Sequence, residues 1–364
     1  MKIHEVIDVL ETFAPLPYAE GFDNVGLLTG SADTELEGIL ITLDTLENVV
    51  EEAVKKGCNM IVSFHPIIFT GLKRLTGASY IERAVIRAVQ NNIAIYAIHT
   101  ALDNHYQGVN DMICQKLGLY NRKILVPQPG TILKLISYVP KSEAEQVRKS
   151  LFKAGAGNIG NYDQCSFNLE GTGTFRGNEN SQPVKGQKGE LHYEEEIQVG
   201  VILPKHLKSA VLKALFKSHP YEEVAYEVYA LENENQQIGM GMTGELKEPM
   251  DEQDFLSLVK RIFDVPVIRH SRFLEKRIHK VAVLGGSGSF AISRAKAAGA
   301  DIFITADLKY HDFFQAEGKL VLADIGHYES EQYTKNLLAS FLNKKIPNFA
   351  VVLSETDTNP IKYF

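Results

Sequence analysis

The segment from residue 320 to residue 331 carries the residues best suited to chemistry. An apolar run at 320–323 predicts a buried strand that leads into a glycine, and a helical pattern follows from about Ser330. His327 and Glu331 stand four residues apart at this junction, and once the helix begins this spacing places both side chains on one face. Such a pair suits a divalent metal ion. The alternative, which is commoner for an isolated motif, is a surface histidine beside a helix-capping glutamate.

Other residues of the ligand type follow predicted strands elsewhere in the chain. His65 follows the apolar run 60–64, and His99 and Asp103 follow the run 93–98. The remaining ones, after runs at 302–305 and 320–323, are Asp307, His311 and Asp324. Because ligands of α/β folds bind beyond the carboxyl ends of parallel strands, we expect several of these side chains to lie close together.

We therefore predict a shared metal site. Its expected ligands are His65, Asp103, His327 and Glu331. A mixed set of nitrogen and oxygen ligands suits zinc, manganese, iron or nickel better than metals that prefer thiolates. Two carboxylates could bridge two ions held about 3.5–4 Å apart, an arrangement used in hydrolysis, where the metal lowers the pKa of bound water.

His99 and His311 are candidates for a role beside the ligands. Either could orient a ligand, act as a general acid or base, or bind substrate. For His99, a structural role is an equally good explanation, in which the imidazole is hydrogen-bonded at the end of a strand and takes no part in chemistry. The Gly-Gly-Ser-Gly-Ser run at 285–289 could bind phosphate, although a tight turn explains it better. Residues 23–27 are explained as a turn before a strand.

Alternating helix and strand patterns must position these residues. Residues 1–125 contain buried apolar strands separated by helices, which indicates a mostly parallel sheet with helices packed on it. The same alternation returns in 235–364, so the fold class is α/β with two lobes. Between the lobes, residues 126–234 have a β-α-β-β-α-β pattern, which is typical of an inserted ferredoxin-like domain.

Composition narrows the class of protein. The chain has 364 residues, of which 45% are hydrophobic and 23% charged, and these values are ordinary for a globular protein of two domains. The net charge of -7, without a long basic run, argues against a general binder of nucleic acid or anionic membranes. No apolar run approaches the length of a membrane span, no signal peptide is apparent, and three scattered cysteines predict a reduced, cytoplasmic protein.

Taken in order, these segments resemble a known family. Five of them carry the resemblance: 22–27 (Phe-Asp-Asn-Val-Gly-Leu), 65–69 (His-Pro-Ile-Ile-Phe), 99–103 (His-Thr-Ala-Leu-Asp), 285–289, and 305–311 leading to 326–331. The family is the NIF-three-like dinuclear-metal family, whose bacterial members are named GTP cyclohydrolase 1 type 2 homologues. The central region is similar to the PII/CutA-like insertion of longer members, a likeness carried by Ser218-His219-Pro220-Tyr221-Glu222-Glu223.

The resemblance implies two divalent metal ions per subunit, zinc first among the candidates, in a cleft between the lobes. The ligands would be the residues at positions 65, 103, 327 and 331. It also implies a homohexamer, shaped as a toroid or cage. Phe64 departs from the family pattern, in which many members have a second histidine there, so one ion would have a weaker ligand set.

Three functions are compatible with the resemblance. The named reaction is the hydrolytic ring opening of GTP, which yields formate and a dihydroneopterin triphosphate, so the first hypothesis is a metal-dependent hydrolase acting on a nucleotide or related phosphate compound. The alternative is a non-enzymatic hexameric assembly for regulation or metal handling. A nucleic-acid role comes third because the chain is acidic.

Overall fold

The computed structural model describes residues 1–364. Contacts within the chain divide it into two compact units. The larger unit comprises Met1–Pro127 and Gln236–Phe364, and the smaller unit comprises Gln128–Asn235. All four predicted metal ligands belong to the larger unit, which is built around two sheets.

The first sheet of the larger unit has five strands in the order β1-β4-β3-β2-β15. They are β1 (Gly26–Thr29), β2 (Ile39–Thr42), β3 (Met60–Ser63), β4 (Ala94–Ala97) and β15 (Val351–Leu353). β15, β2, β3 and β4 are parallel, and only β1 is antiparallel to its neighbour. Every residue of β2, β3 and β4 is buried, which confirms the strands predicted from their apolar runs.

The second sheet has six strands in the order β11-β14-β13-β12-β10-β5. They are β5 (Tyr120–Pro127), β10 (Gly239–Met250), β11 (Arg269–His270), β12 (Ile278–Ser287), β13 (Ile302–Ala306) and β14 (Val321–Asp324). β12, β13 and β14 are parallel, whereas β5, β10 and β11 pair antiparallel.

Three strands of the second sheet, β5, β10 and the two-residue β11, were not predicted. The first half of β5 is polar and exposed, and β10 contains three glycines, so neither has the alternating or apolar pattern of a strand. Gly241 has a φ of +67°, and a Cβ there would lie 2.9 Å from the carbonyl oxygen of Val283. The glycines of β10 therefore reflect the close approach of β5 and β12 on either side.

Helices cover both outer faces of the two sheets and fill the space between them. They are α1 (Ile3–Phe13), α2 (Glu47–Lys55), α3 (Tyr80–Gln90), α4 (His99–Asp103), α5 (Val109–Lys116), α8 (Glu252–Phe263), α9 (Ile292–Ala297), α10 (His327–Glu331) and α11 (Thr334–Lys345), with 3-10 helices at Leu16–Tyr18, Ser289–Ala291 and Tyr310–Ala316. No helix of the chain is both long and apolar enough to cross a bilayer.

One hydrophobic core joins the two sheets. Alternate residues of each buried strand face this core, as Ile41 does in β2 and Val283 does in β12. Their neighbours Leu40 and Ala282 face separate outer clusters, beneath α2 and α3 on one sheet and beneath α9 on the other. Because the strands are buried on both faces, they are continuous apolar runs in the sequence.

The smaller unit is a four-stranded antiparallel sheet in the order β7-β8-β6-β9. In chain order its elements are β6 (Ile132–Pro140), α6 (Ala144–Lys153), β7 (Ser166–Phe175), β8 (His192–Pro204), α7 (Lys208–Ser218) and β9 (Tyr226–Leu231). This is the predicted β-α-β-β-α-β order. A 3-10 helix at Lys205–Leu207 directly precedes α7. Both helices pack on one face of the sheet, where they form a separate core.

The turn between α4 and α5 depends on Gly108. A Cβ at this position would overlap the carbonyl oxygen of Leu102 and lie 2.9 Å from that of His105. Both contacts are with backbone atoms, so rotation of a side chain cannot relieve them. Replacement of Gly108 would therefore displace α4, which ends at Asp103.

We predict that Gly108→Ala lowers the free energy of unfolding by about 2 kcal/mol or more, because the backbone must shift to admit the methyl group. Urea denaturation measures this change. Gly71→Ala is the control, since a Cβ at Gly71 meets no atom within 4 Å. Equal stability of the two variants would contradict this account of the turn.

Candidate metal centre

His65, His327 and Glu331 converge in the larger unit. The Nε2 atom of His65 lies 3.1 Å from Oε2 of Glu331, and Nε2 of His327 lies 3.2 Å from the same oxygen. The two Nε2 atoms are 3.5 Å apart. These three side chains bring their ligand atoms within 4.8 Å of one another, a spacing compatible with a metal ion.

The ends of two strands position this group. His65 lies two residues beyond β3, and His327 lies three residues beyond β14, where it begins α10. The helix thus begins three residues before the predicted Ser330, and His327 and Glu331 lie on successive turns of one short helix. Gly326 precedes the helix with a φ of +94°, and a Cβ there would overlap the carboxylate of Glu329. Only glycine makes this strand-to-helix turn without strain.

A carboxylate orients each histidine of the region through its Nδ1 atom. The pairs are His65 with Asp44 (2.8 Å), His327 with Asp307 (2.7 Å) and His99 with Asp23 (2.8 Å). An ionised carboxylate only accepts hydrogen bonds, so in each pair Nδ1 carries the proton and donates it. In the neutral imidazole the lone pair is then on Nε2, as in histidines that bind metals.

The donor set fits a divalent cation. The Nε2 atoms of His65 and His327 direct electron pairs at each other and at Oε2 of Glu331, an arrangement that is repulsive unless a cation or protons lie between them. Oδ1 of Asp103 is buried and has no hydrogen-bond partner, and the buried Oε2 of Glu331 has only the two imidazole nitrogens beside it. Buried polar atoms are normally satisfied, so these two oxygens are free to bind an ion.

The pKa values of the Asp103 and Glu331 carboxylates shift in opposite directions in this environment. Burial raises the pKa of Asp103 well above its usual value, and the negative charge of Glu331 raises it further. Burial also opposes ionisation of Glu331, but hydrogen bonding and charge from His327 and His65 outweigh it and lower the pKa of Glu331. Glu331 is therefore the ionised carboxylate of the centre, and a cation would favour ionisation of Asp103 as well.

The two imidazoles hold protons strongly without a cation. Burial lowers the pKa of His65, yet Asp44 and Glu331 together raise it to about 9. Burial likewise opposes protonation of His327, whereas Asp307 and Glu331 raise its pKa to about 11. Protons and a metal ion compete for the same electron pairs, so a metal ion that bound here would have to displace protons.

Asp103 interacts electrostatically with Glu331, His65 and His327, but its oxygens are not among the ligand atoms that lie within 4.8 Å of one another. His99 also lies near this group. His99 begins α4 and Asp103 ends it. The ring centres of His99 and His65 lie 5.2 Å apart. The backbone of His99 has a φ of +26°, which is unusual for a residue other than glycine.

His311 lies apart from the other candidates. Its side chain is exposed on the 3-10 helix Tyr310–Ala316, and its ring contacts Tyr310 and Phe314. The structure does not bring it into the group of His65, His327 and Glu331.

Phe64 is fully buried beside the centre. Its ring lies 4.9 Å from the imidazole of His65 and 5.5 Å from that of His99, measured between ring centres. It supplies no electron pair, and its position is a packing contact that holds the two imidazoles in place.

The glycine run at 285–289 leaves space for the carboxylate of Glu331. Gly286 has a φ of +68°, and a Cβ there would overlap Oε1 of Glu331. The backbone N–H of Gly285 donates to Oδ1 of Asn110 (3.0 Å), and that of Gly286 donates to Oγ of Ser330 (2.9 Å). These two N–H groups are occupied by side chains, so they do not form the phosphate-binding loop considered from the sequence.

The C-terminal segment forms one wall of the centre. Thr358 donates a hydrogen bond to Oδ2 of Asp44 (2.6 Å), and Asn359 donates to Oε1 of Glu329 (3.1 Å). Pro360 and Ile361 line a cavity of about 390 Å³ together with His65, His99 and His327. Nothing in the sequence pattern of this segment indicated such a role.

Sequence reasoning did not assign the three residues that orient the histidines. Asp307, which directly follows β13, was noted as a residue of the ligand type but not as the partner of His327. Asp44 directly follows the apolar run of β2, so the rule that selected His65 would also have selected it. Asp23 was interpreted as part of a turn. Its carboxylate binds His99 and also accepts hydrogen bonds from the N–H and hydroxyl of Thr100, which are 77 residues away in sequence.

Proteins of known sequence and structure resemble this chain over its full length. The family model Duf34/NIF3 (NGG1p interacting factor 3) matches residues 1–360. A Bacillus subtilis protein named GTP cyclohydrolase 1 type 2 homolog is 38% identical, over 99% of this chain and 98% of its own. A Staphylococcus aureus protein of the same name is 33% identical, over 100% of both chains.

A solved structure is also similar to this chain over its full length. The crystal structure of a Bacillus cereus protein related to NIF3 is 37% identical, with a TM-score of 0.85, over 100% of this chain and 99% of its own. The mixed α/β fold with several sheets is therefore that of NIF3-related proteins. With a family model that covers nearly every residue and relatives that match from end to end, this chain belongs to the Duf34/NIF3 family.

Proposed function

We propose that the protein binds two divalent metal ions and acts as a metal-dependent hydrolase on a nucleotide or a related phosphate compound. The observation that carries the proposal is the position of Glu331, whose Oε2 lies 3.1 and 3.2 Å from the lone-pair nitrogens of two imidazoles. A carboxylate between two imidazoles is suited to be shared by two ions. His65 and Asp103 would hold one ion, His327 would hold the other, and Glu331 would contribute to both.

The chemistry of the donor set favours zinc, with iron, manganese and nickel as the alternatives. When bound, such ions polarise substrate oxygens and lower the pKa of water. The residues of this chain supply the rest. Asp44 and Asp307 fix the imidazoles, and Phe64 excludes water from behind them. His99, with Nδ1 engaged by Asp23, has Nε2 left to bind substrate or move a proton.

The cavity and the names of the relatives support the proposed substrate class. A cavity of about 390 Å³ is within the range used for small-molecule ligands. The relatives are named GTP cyclohydrolase 1 type 2 homolog, so GTP is the first nucleotide to test.

The second candidate is a non-enzymatic hexameric assembly for regulation or metal handling. Its support is the smaller unit, Gln128–Asn235, which has its own core and a sheet with one face free of helices. We propose that this unit is a PII/CutA-like domain. Ligand binding by the full chain without any turnover would favour this candidate over the hydrolase.

Replacement of His327 by alanine should empty one metal position. Phe64 cannot ligate, so His327 and Glu331 are the main protein ligands of the second ion, and the metal content should fall from about two ions per chain to about one. Elemental analysis of the purified variant measures this. His311→Ala is the matched control, since His311 is exposed and contacts only Tyr310 and Phe314 among aromatic rings. Two full equivalents in the His327 variant would refute this assignment.

Removal of the Thr358 hydroxyl should weaken metal binding without unfolding the protein. Thr358→Val deprives Asp44 of a hydrogen bond and loosens the orientation of His65, and such indirect changes cost about tenfold or more in metal affinity. Competition with a chelator of known affinity measures the loss. The control is Thr356→Val on the same segment, because that hydroxyl donates to Glu52 instead. If both variants retain the affinity of the parent protein, the segment has no role in the centre.

Hydrolysis is tested by incubating the metal-loaded protein with a panel of nucleotides that includes GTP, and by measuring formate and other products. We expect turnover with at least one nucleotide, and its loss in the double variant His65→Ala, Glu331→Ala. The His311→Ala protein should retain the activity. Turnover no greater than that of the double variant would eliminate the hydrolase and leave the non-enzymatic candidate.

A further inference from the structure

The smaller unit contains a cavity of about 670 Å³ on the sheet face opposite its helices. α6 and α7 cover one face, where Val199 and Val201 of β8 enter the core. The alternate residues of β8, Glu196 and Gln198, line the cavity on the other face. All lining residues lie between 138 and 225, so the cavity belongs to this unit alone.

Aromatic and apolar side chains form much of the wall. Tyr138, Phe175 and Tyr221 line the cavity, and the rings of Phe175 and Tyr221 lie 5.7 Å apart in an edge-to-face arrangement. Leu169 and Val184 add aliphatic surface. Such a wall favours a ligand with an apolar or planar body.

The Glu196 carboxylate lies beside the aromatic wall of this cavity and has an unused acceptor. The hydroxyl of Tyr221 donates to Oε1 at 2.9 Å, while Oε2 has no protein partner. The carboxylate lies directly over Gly173 of the neighbouring strand, where a Cβ would overlap it. The glycine thus leaves space for Glu196 to lie along the sheet, with one oxygen available to a ligand.

The charges around the cavity favour a cation. Four carboxylates line it against two basic side chains: Glu170, Glu196, Glu222 and Glu223 against Arg176 and Lys185. Lys185 lies 3.7 Å from Glu194, which offsets its charge. Glu170 is paired with Lys141 at 3.0 Å, and Glu222 accepts a hydrogen bond from the backbone of Gln182. Glu196 has no such cationic partner.

We propose that this cavity binds a small organic cation, an amine or amidine with an apolar body. Glu196 would accept N–H hydrogen bonds from the cationic group, and the rings of Tyr138, Phe175 and Tyr221 would surround the rest. A charge-assisted hydrogen bond within an aromatic wall is a strong way to hold such a ligand. The site does not depend on the metal centre, because it lies in the other unit.

Benzamidine is the probe, with benzamide and benzoate as neutral and anionic molecules of nearly the same shape. Isothermal titration of the full chain should give a dissociation constant of about 1 mM or lower for benzamidine. Benzamide and benzoate should bind at least about tenfold more weakly, because neither offers a cationic donor to Glu196.

Two variants test the role of Glu196. Glu196→Gln keeps the shape of the side chain and removes its charge, so benzamidine affinity should fall about tenfold or more. Gly173→Ala should displace the carboxylate and weaken binding as well, and its backbone φ is compatible with alanine. Thermal melting of each variant, matched to that of the parent protein, confirms that the fold is retained.

Three results would overturn the proposal. They are no binding of benzamidine, equal binding of benzoate or benzamide, and benzamidine binding that both variants leave unchanged. Absence of binding in a protein that sediments as an oligomer would indicate that another copy of the chain covers this sheet face.

Discussion

The close approach of three groups that can each bind a proton or a metal ion is the constraint around which the candidate metal centre is arranged. His65, His327 and Glu331 present nitrogen and oxygen atoms to one another at 3.1 to 3.5 Å. Without a cation this arrangement persists only if protons are taken up and the surrounding structure holds the side chains in place. Asp44 and Asp307 hold the imidazoles through Nδ1, and the absence of a Cβ at Gly286 admits the carboxylate. Each of these features holds a potential ligand group in place, which is what the proposed metal centre would require.

The two-sheet core supplies the rigidity that this arrangement needs. His65 and His327 are 262 residues apart in sequence, and each follows a fully buried strand of a different sheet. Because a single hydrophobic core packs between the sheets, the strand ends cannot separate without exposing that core. The C-terminal segment closes the same region through Thr358 and Asp44. The cavity of the smaller unit rests on a different core, so substitutions at one site need not disturb the other.

Much of the fold could be predicted because burial leaves a direct trace in the sequence. Strands such as β2 and β3, buried on both faces, are continuous apolar runs, and the amphipathic helix Tyr80–Gln90 begins and ends where its pattern does. The sequences of β5 and β10 show no such apolar pattern, since β5 is half polar and β10 is rich in glycine. Their existence depends on pairing with each other and with β12, which is a long-range property.

For the site, the sequence by itself determined which side chains of the ligand type lie at strand ends, and three of the four predicted metal ligands, His65, His327 and Glu331, converge in the structure. It also selected His311, which the fold leaves exposed on the surface. Only the tertiary structure decided which carboxylate orients which imidazole, because these hydrogen bonds join residues up to 76 positions apart. The physical reason is that a residue type fixes what a side chain can bind, whereas its partner, its protonation and its burial depend on groups that folding brings near it.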